Sequence, residues 1–186
     1  MSEKKAKKGR RAYLNDFRQG ADGKYVYTGA HYELHPGEKL PAFRRGLLLF
    51  SVLSAASAVA RGCNPAGGML NCFYVIIPYI LEVGGVAFTV YAAFSFLLSA
   101  YPAREYSFLK TVRRVPSLAG FSAVCAGVGI FVQGIYLILR RGAGEPVPLI
   151  LAGFLTEVCG IAFALMLRRL CQKAEFIRTP GKNEQI

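Results

Sequence analysis

The sequence predicts an all-α membrane protein with four transmembrane helices, arranged as two similar helical hairpins and preceded by a short cytoplasmic β-hairpin segment. Three observations predict this fold class. The 186-residue chain is 53% hydrophobic although its formal charge is +12, and its charged and apolar residues occupy separate blocks. Four apolar stretches are close to the length of a bilayer-spanning helix. A motif centred on glutamate occurs once in each half of the chain.

The four apolar stretches are each bounded by Arg, Pro or a polar loop. A helix rises ~1.5 Å per residue, so crossing a bilayer takes about 20 residues, with roughly 17 tolerated. The first stretch is the shortest, and we interpret it as a retained helix because the basic segment before it is too long for a cleaved signal peptide. The predicted spans are residues 43–61, 72–101, 117–139 and 147–167, within a membrane domain of residues 42–171.

Lysine and arginine are distributed unequally between the two sets of loops. Of 23 such residues, 20 lie in the N-terminal segment, in the connection between the second and third spans, or in the C-terminal tail. The remaining three, Arg61, Arg140 and Arg141, are assigned to loops on the opposite side. Because basic loops stay on the cytoplasmic side, the sequence predicts a multi-pass protein of the cell membrane with both termini cytoplasmic.

An internal repeat links the two halves of the chain. Residues 80–88 (ILEVGGVAF) and 155–163 (LTEVCGIAF) are identical at five of nine positions, at an offset of 75. We interpret this as a duplicated helical hairpin with an axis along the membrane normal. The alternative is that apolar helices share these residues by composition. A duplication would place Glu82 and Glu157 at equivalent positions that face a shared centre.

Glu82 and Glu157 are the only acidic residues inside the predicted spans. A charged side chain at the centre of a transmembrane helix costs about 2.5 to 3.5 kcal/mol on insertion scales, so another group must offset that cost. One hypothesis is a proton or cation site, with the Tyr74 carbonyl freed by Pro78 as a further ligand. The alternative is that the glutamates hydrogen-bond to neighbouring helices, with Gln133 as the favoured partner. The second and fourth spans, which carry the two glutamates, contain no Lys or Arg that could serve as a counterion.

Small residues recur every four positions on each span, which predicts close helix packing. Examples are Gly85, Thr89 and Ala93 on the second span, and Ala119, Ala123 and Gly127 on the third.

The five cysteines and two histidines show no metal-binding spacing, and the sequence predicts neither a metal site nor a cofactor. Cys63 and Cys72 bracket the first outer loop and form the candidate disulfide pair, on the side where disulfides persist. His31 and His35 are interpreted as ordinary loop residues.

The two ends of the chain are predicted to be cytoplasmic. Residues 1–12 carry six Lys and Arg, which predicts a disordered arm that contacts anionic lipids rather than nucleic acid. Residues 13–41 contain two β-prone runs around Gly29 and Ala30, which predict a hairpin that pairs Tyr27 with Tyr32. Residues 172–186 are predicted to form a tail.

The chain lacks the sequence patterns of hydrolytic triads, phosphate-binding loops and dinucleotide-binding motifs, so an enzyme is not predicted. We expect a non-enzymatic polytopic membrane protein that acts as an interaction or accessory subunit, as a homo-oligomer or within a larger membrane complex. The alternative is a small proton- or cation-coupled transporter or channel that uses Glu82 and Glu157.

Overall fold

The computed structural model describes residues 16–19, 23, 25–64, 72–139 and 146–180, and the protein is mostly helical. The basic arm at residues 1–12 lies outside the described residues. The helices are α1 (Leu40–Gly62), α2 (Phe73–Leu97), α3 (Glu105–Lys110), α4 (Val115–Leu139) and α5 (Val147–Lys173). The strands are β1 (Phe17–Gln19), β2 (Tyr25–Tyr27), β3 (His31–Leu34), β4 (Ala103–Arg104) and β5 (Phe176–Thr179).

Four helical segments are long and apolar enough to cross a bilayer: α1, α2, the α3–α4 segment and α5. The prediction of four candidate spans is therefore confirmed, with shifted bounds. Helix α2 ends at Leu97 rather than near Tyr101, ahead of Pro102, which cannot continue a helix. Helix α5 continues past residue 167 to Lys173, because Arg and Lys are good helix formers and their heads reach outward from the apolar span.

The four long helices pack as a closed ring. Helix α1 contacts α2 and α5, and α4 contacts the same two helices, so α1 lies diagonally opposite α4 and α2 opposite α5. The small residues of α2 lie at these contacts: a methyl group added at Gly85 would come 3.1 Å from Ser122 Cβ on α4. The predicted stripe on α4 is less regular, since Gly127 is exposed.

A three-stranded antiparallel sheet, in the order β4-β3-β5, closes one end of the bundle, which we call the sheet end. In this sheet His31 pairs with Arg104 on β4 and with Thr179 on β5. The sheet therefore joins the N-terminal segment, the connection after α2 and the C-terminal segment. These are the three basic regions that the sequence assigns to one side of the membrane.

The predicted hairpin between β2 and β3 is wrong. Strand β2 pairs with β1, so that Tyr27 lies opposite Phe17, whereas Tyr32 lies opposite Arg178 on β5. The residues around Gly29 form a connection between two sheets, and a side chain at Gly29 would come 2.6 Å from Tyr27 Oη. An isolated short hairpin is marginal, and β3 gains two partner strands by pairing across the sheet end instead.

An aromatic cluster holds the sheet against the bundle. The Phe176 ring of β5 lies 5.6 Å from Phe43 on α1, 6.3 Å from Phe96 on α2 and 4.8 Å from Phe108 on α3, measured between centroids. Tyr32 of β3 stacks on Phe108 at 4.3 Å. The predicted tail therefore begins with the last residues of α5 and continues as β5, whose Phe176 packs against the main apolar core.

Candidate functional site

Arg61 lies in the last turn of α1, and its side chain points into the bundle. It is 2% exposed, so its assignment to an outer loop is wrong. The residue continues the buried face of its helix, on which buried positions follow one another at intervals of three or four. These positions are Phe43, Leu47, Ser51, Ser54, Ala58 and Arg61.

The Arg61 guanidinium meets both glutamates of the repeated motif. Its Nη1 donates a hydrogen bond to Glu82 Oε2 at 2.5 Å and lies 2.7 Å from Glu157 Oε1. The second contact is an ion pair without hydrogen-bond geometry, because neither oxygen of Glu157 has a hydrogen-bond partner. Glu82 and Glu157 are 3% and 1% exposed. We call these three residues the ionic triad; it links α1, α2 and α5.

The structure brings the two glutamates to a shared centre, as expected, although their helices are diagonal to each other. The expectation that no basic residue serves as their counterion is wrong, because Arg61 does so. Gln133 is buried, yet it does not bond to Glu157: its Oε1 has no hydrogen-bond partner, and neither do the Glu157 oxygens. The structure therefore has no hydrogen bond between Gln133 and Glu157, one of the two glutamates for which Gln133 was the favoured partner.

Tyr74 and Pro78 do not build a cation site with the carboxylates. Pro78 lies inside α2, one turn from Glu82, and is buried. Tyr74 lies eight residues from Glu82, which is about 12 Å along the helix axis, and its side chain packs at the far end of the bundle against Val75 and Tyr136. Within the described ranges, no group of three or more His, Cys, Asp or Glu could hold a metal ion.

Two further residues enclose the triad. The Arg61 Cζ atom lies 5.3 Å from the centroid of the Tyr79 ring, a cation–π contact, and the Tyr79 hydroxyl donates to the Ala58 carbonyl at 3.1 Å. From α4, the Gly129 backbone closes over the site: a methyl group there would come 2.7 Å from Arg61 Nη2 and still closer to Glu157 Oε1. Glycine at this position lets the fourth helix of the ring approach.

The charges of the triad do not balance. With both carboxylates ionised, one guanidinium leaves a net charge of −1 in a site shielded from solvent. Six buried side-chain atoms of the described residues lack a hydrogen-bond partner, and four of them belong to Arg61 and Glu157. An unsatisfied buried polar atom costs about 1–3 kcal/mol. Two of these four atoms are nitrogen donors of Arg61 and two are carboxylate oxygens of Glu157, and only the Glu157 oxygens would be satisfied by a further proton or small cation.

The predicted disulfide between Cys63 and Cys72 is not formed. All five cysteines are described, and all are free thiols. Cys63 is exposed at the end of α1, whereas Cys72 is buried beside Val75 at the start of α2.

Comparison of the chain with protein-family models, with curated proteins and with solved structures gives no match. The fold and the site by themselves define the class: a helical bundle with four candidate membrane spans, an ionic triad at its centre and a sheet across one end.

Replacing Arg61 tests whether the triad stabilises the bundle. Arg61→Met leaves two carboxylates facing each other, and breaking a buried ion pair from one side costs about 3–5 kcal/mol. We expect a large loss of stability in thermal unfolding of the detergent-solubilised protein. Combining Arg61→Met with Glu82→Gln and Glu157→Gln removes all the charges and is expected to restore most of the stability. No loss in the single variant, or no recovery in the triple variant, would contradict this role.

Two glycines on α4, Gly129 and Gly127, allow the close packing around the triad to be tested with a matched control. Gly129→Ala is expected to destabilise the protein, because the added methyl group meets Arg61 and Glu157. Gly127→Ala meets nothing within 4 Å and is expected to leave stability unchanged or slightly raised, since alanine favours helix by about 1 kcal/mol over glycine. The unfolding midpoints of the two variants give the answer, and equal midpoints would rule out the close approach at Gly129.

Proposed function

We propose that this chain is a non-enzymatic multi-pass membrane protein that serves as an interaction or accessory subunit, with its docking surface at the sheet end. The observation that carries the proposal is the sheet itself. Three segments far apart in the sequence pair there, and the sheet is anchored to the bundle through Phe176. A surface built in this way keeps its shape without a partner, which suits it to present a docking site.

The β1–β2 pair supplies the exposed part of this surface. Tyr25 is 73% exposed and Val26 is 53% exposed. Arg104 of β4 holds the pair in place, since its Cζ atom lies 5.3 Å from the Tyr27 ring centroid and 5.7 Å from that of Phe17. Exposed aromatic residues are typical of surfaces that bind another protein, and an unpaired strand edge can pair with another chain.

The ionic triad supports an accessory role more than a transport role. Arg61 contacts both carboxylates, so neither glutamate stands alone as an open site for a passing ion. The ion pairs of the triad link three of the four long helices, which favours a bundle with one stable packing arrangement.

The proposed orientation places the sheet end in the cytoplasm. Most Lys and Arg residues outside the spans lie at the sheet end rather than at the opposite end, and basic loops stay on the cytoplasmic side. Because Arg61 is buried within α1, the loops assigned to the opposite side retain only Arg140 and Arg141, and the bias becomes larger.

The docking surface is tested by changing the exposed pair Tyr25→Ser and Val26→Ser. We expect loss of the proteins that co-purify with the wild-type chain from native membranes in mild detergent, at unchanged abundance. Tyr106→Ser is the control, because it removes a half-exposed aromatic residue at the same end but outside the β1–β2 pair. Unchanged co-purification in the pair variant, or equal loss in the control, would contradict the proposal.

A second candidate function is proton- or cation-coupled transport at the triad. It is favoured by one observation, the two Glu157 oxygens that lack hydrogen bonds, in a site that would carry a net negative charge with both carboxylates ionised. A proton or small cation at Glu157 would balance the site, and its release would expose the charge again.

Glu157→Gln separates the two functions, because it leaves a neutral Arg61–Glu82 pair in place. The accessory role predicts normal abundance, normal partner capture and equal or higher thermal stability. Transport predicts that wild-type protein in liposomes carries a proton or cation flux, which the variant loses. Flux that persists in Glu157→Gln rules out this carboxylate as the transport site. A wild-type protein without flux rules out the second candidate.

A further inference from the structure

A basic groove runs along the outside of the bundle at the sheet end, between α4 and α5. It has a volume of about 410 Å³ and adjoins a second hollow of about 510 Å³ at the α3–α4 turn, with Ser117 in the wall of both. Two arginines of the α3–α4 turn and one of α5 line the pair of cavities: Arg113, Arg114 and Arg168.

These arginines have no acidic partner in the part of the chain that the structure describes. All three are exposed, and the ion pairs of the described residues involve Arg61 and Arg178 instead. Three guanidinium groups thus line two adjoining hollows, neither of which has a carboxylate in its lining. Such a site favours an anion, and arginine binds phosphate oxygens in a bidentate geometry.

The groove changes from basic to apolar along α4. Arg168 lies over Gly120: a methyl group added at Gly120 would come 2.9 Å from Arg168 Nη1. The Gly120 backbone, which has no side chain, therefore forms the bottom of the groove. Below this point the wall is formed by Phe121 and Val124, both exposed and both within the candidate span. A basic mouth above an apolar channel fits a molecule with an anionic head and a hydrocarbon chain.

We propose that this groove binds an anionic phospholipid, with its phosphate at Arg113, Arg114 and Arg168 and one acyl chain along Phe121 and Val124. The proposal rests on the placement of the four candidate spans in a membrane with the sheet end at its cytoplasmic face, where anionic lipids are enriched. A free phosphate ion would contact the arginines but not the apolar wall. A phospholipid would contact both, and is therefore the occupant that fits the whole groove.

The chain contains no tryptophan, so a single introduced tryptophan is a clean probe. The probe is placed at Val128, which is 47% exposed, one helical turn beyond Val124 and outside the lining of the groove. Full-length Val128→Trp protein is reconstituted in vesicles of zwitterionic phosphatidylcholine mixed with phosphatidylglycerol whose acyl chains are brominated. We expect brominated phosphatidylglycerol to quench the tryptophan well beyond its share of the bilayer. Adding Arg113→Gln and Arg168→Gln should lower the relative affinity for phosphatidylglycerol about 100-fold, because two charge-assisted hydrogen bonds to the phosphate are lost.

Two controls separate a built site from general attraction to charge. Arg45→Gln with Arg169→Gln removes the same charge at the same end but outside the groove, and should keep the preference. Gly120→Leu keeps every charge but fills the floor and should lose the preference, whereas Gly127→Leu, which points into open space, should keep it.

Three results would overturn the proposal. They are quenching in proportion to bilayer composition, equal loss in the Arg45 and Arg169 control, and displacement of the lipid by inorganic phosphate, which would show that the mouth alone binds. Partner capture through the β1–β2 pair is measured separately, so a failure here is distinguishable from a failure of the docking surface. Thermal unfolding of each variant confirms that it is folded.

Discussion

The bundle is organised around the contact of one guanidinium with two carboxylates. Arg61 comes from α1, Glu82 from α2 and Glu157 from α5, while the Gly129 backbone of α4 closes over them, so all four long helices meet at this point. The main apolar core lies at the sheet end, and the opposite end has only a small cluster around Val75 among the described residues. The triad therefore stabilises the part of the bundle that has the least apolar packing. Its charges also fix which helix faces point inward, because an unpaired charge there is costly.

The sequence was sufficient to predict four spans, because charge and hydrophobicity occupy separate blocks. It was also sufficient to single out Glu82 and Glu157. Arg61 was missed because it precedes a glycine at the end of an apolar stretch. An arginine that begins a loop has the same sequence context. The available signal was its spacing from Ala58 and Ser54, which continues the buried face of α1. The partners of β3 could not be predicted from local turn chemistry, because Leu34 pairs with Phe176 at the other end of the chain.

The triad also bears on the proposed duplication of the hairpin. The two glutamates stand at equivalent positions of the repeated motif, but the same offset carries Arg61 onto Tyr136, so only the first copy supplies a cation. One arginine therefore serves two carboxylates, and the site is one positive charge short of neutral when both carboxylates are ionised. This asymmetry bears on both proposed functions. The shared ion pair fixes the bundle, and the uncompensated charge at Glu157 is the feature that a proton or cation would use.

The central claim is that Arg61 contacts both glutamates at once. Solid-state NMR of the protein in lipid bilayers measures this directly, through dipolar couplings between the ¹⁵N-labelled Arg61 guanidinium and ¹³C-labelled glutamate carboxyl carbons, with Glu82→Gln and Glu157→Gln used for assignment. The structure predicts strong coupling of Arg61 to two carboxyl carbons, one of which is lost in each variant. Coupling to a single carboxyl carbon, or to none, would contradict the triad.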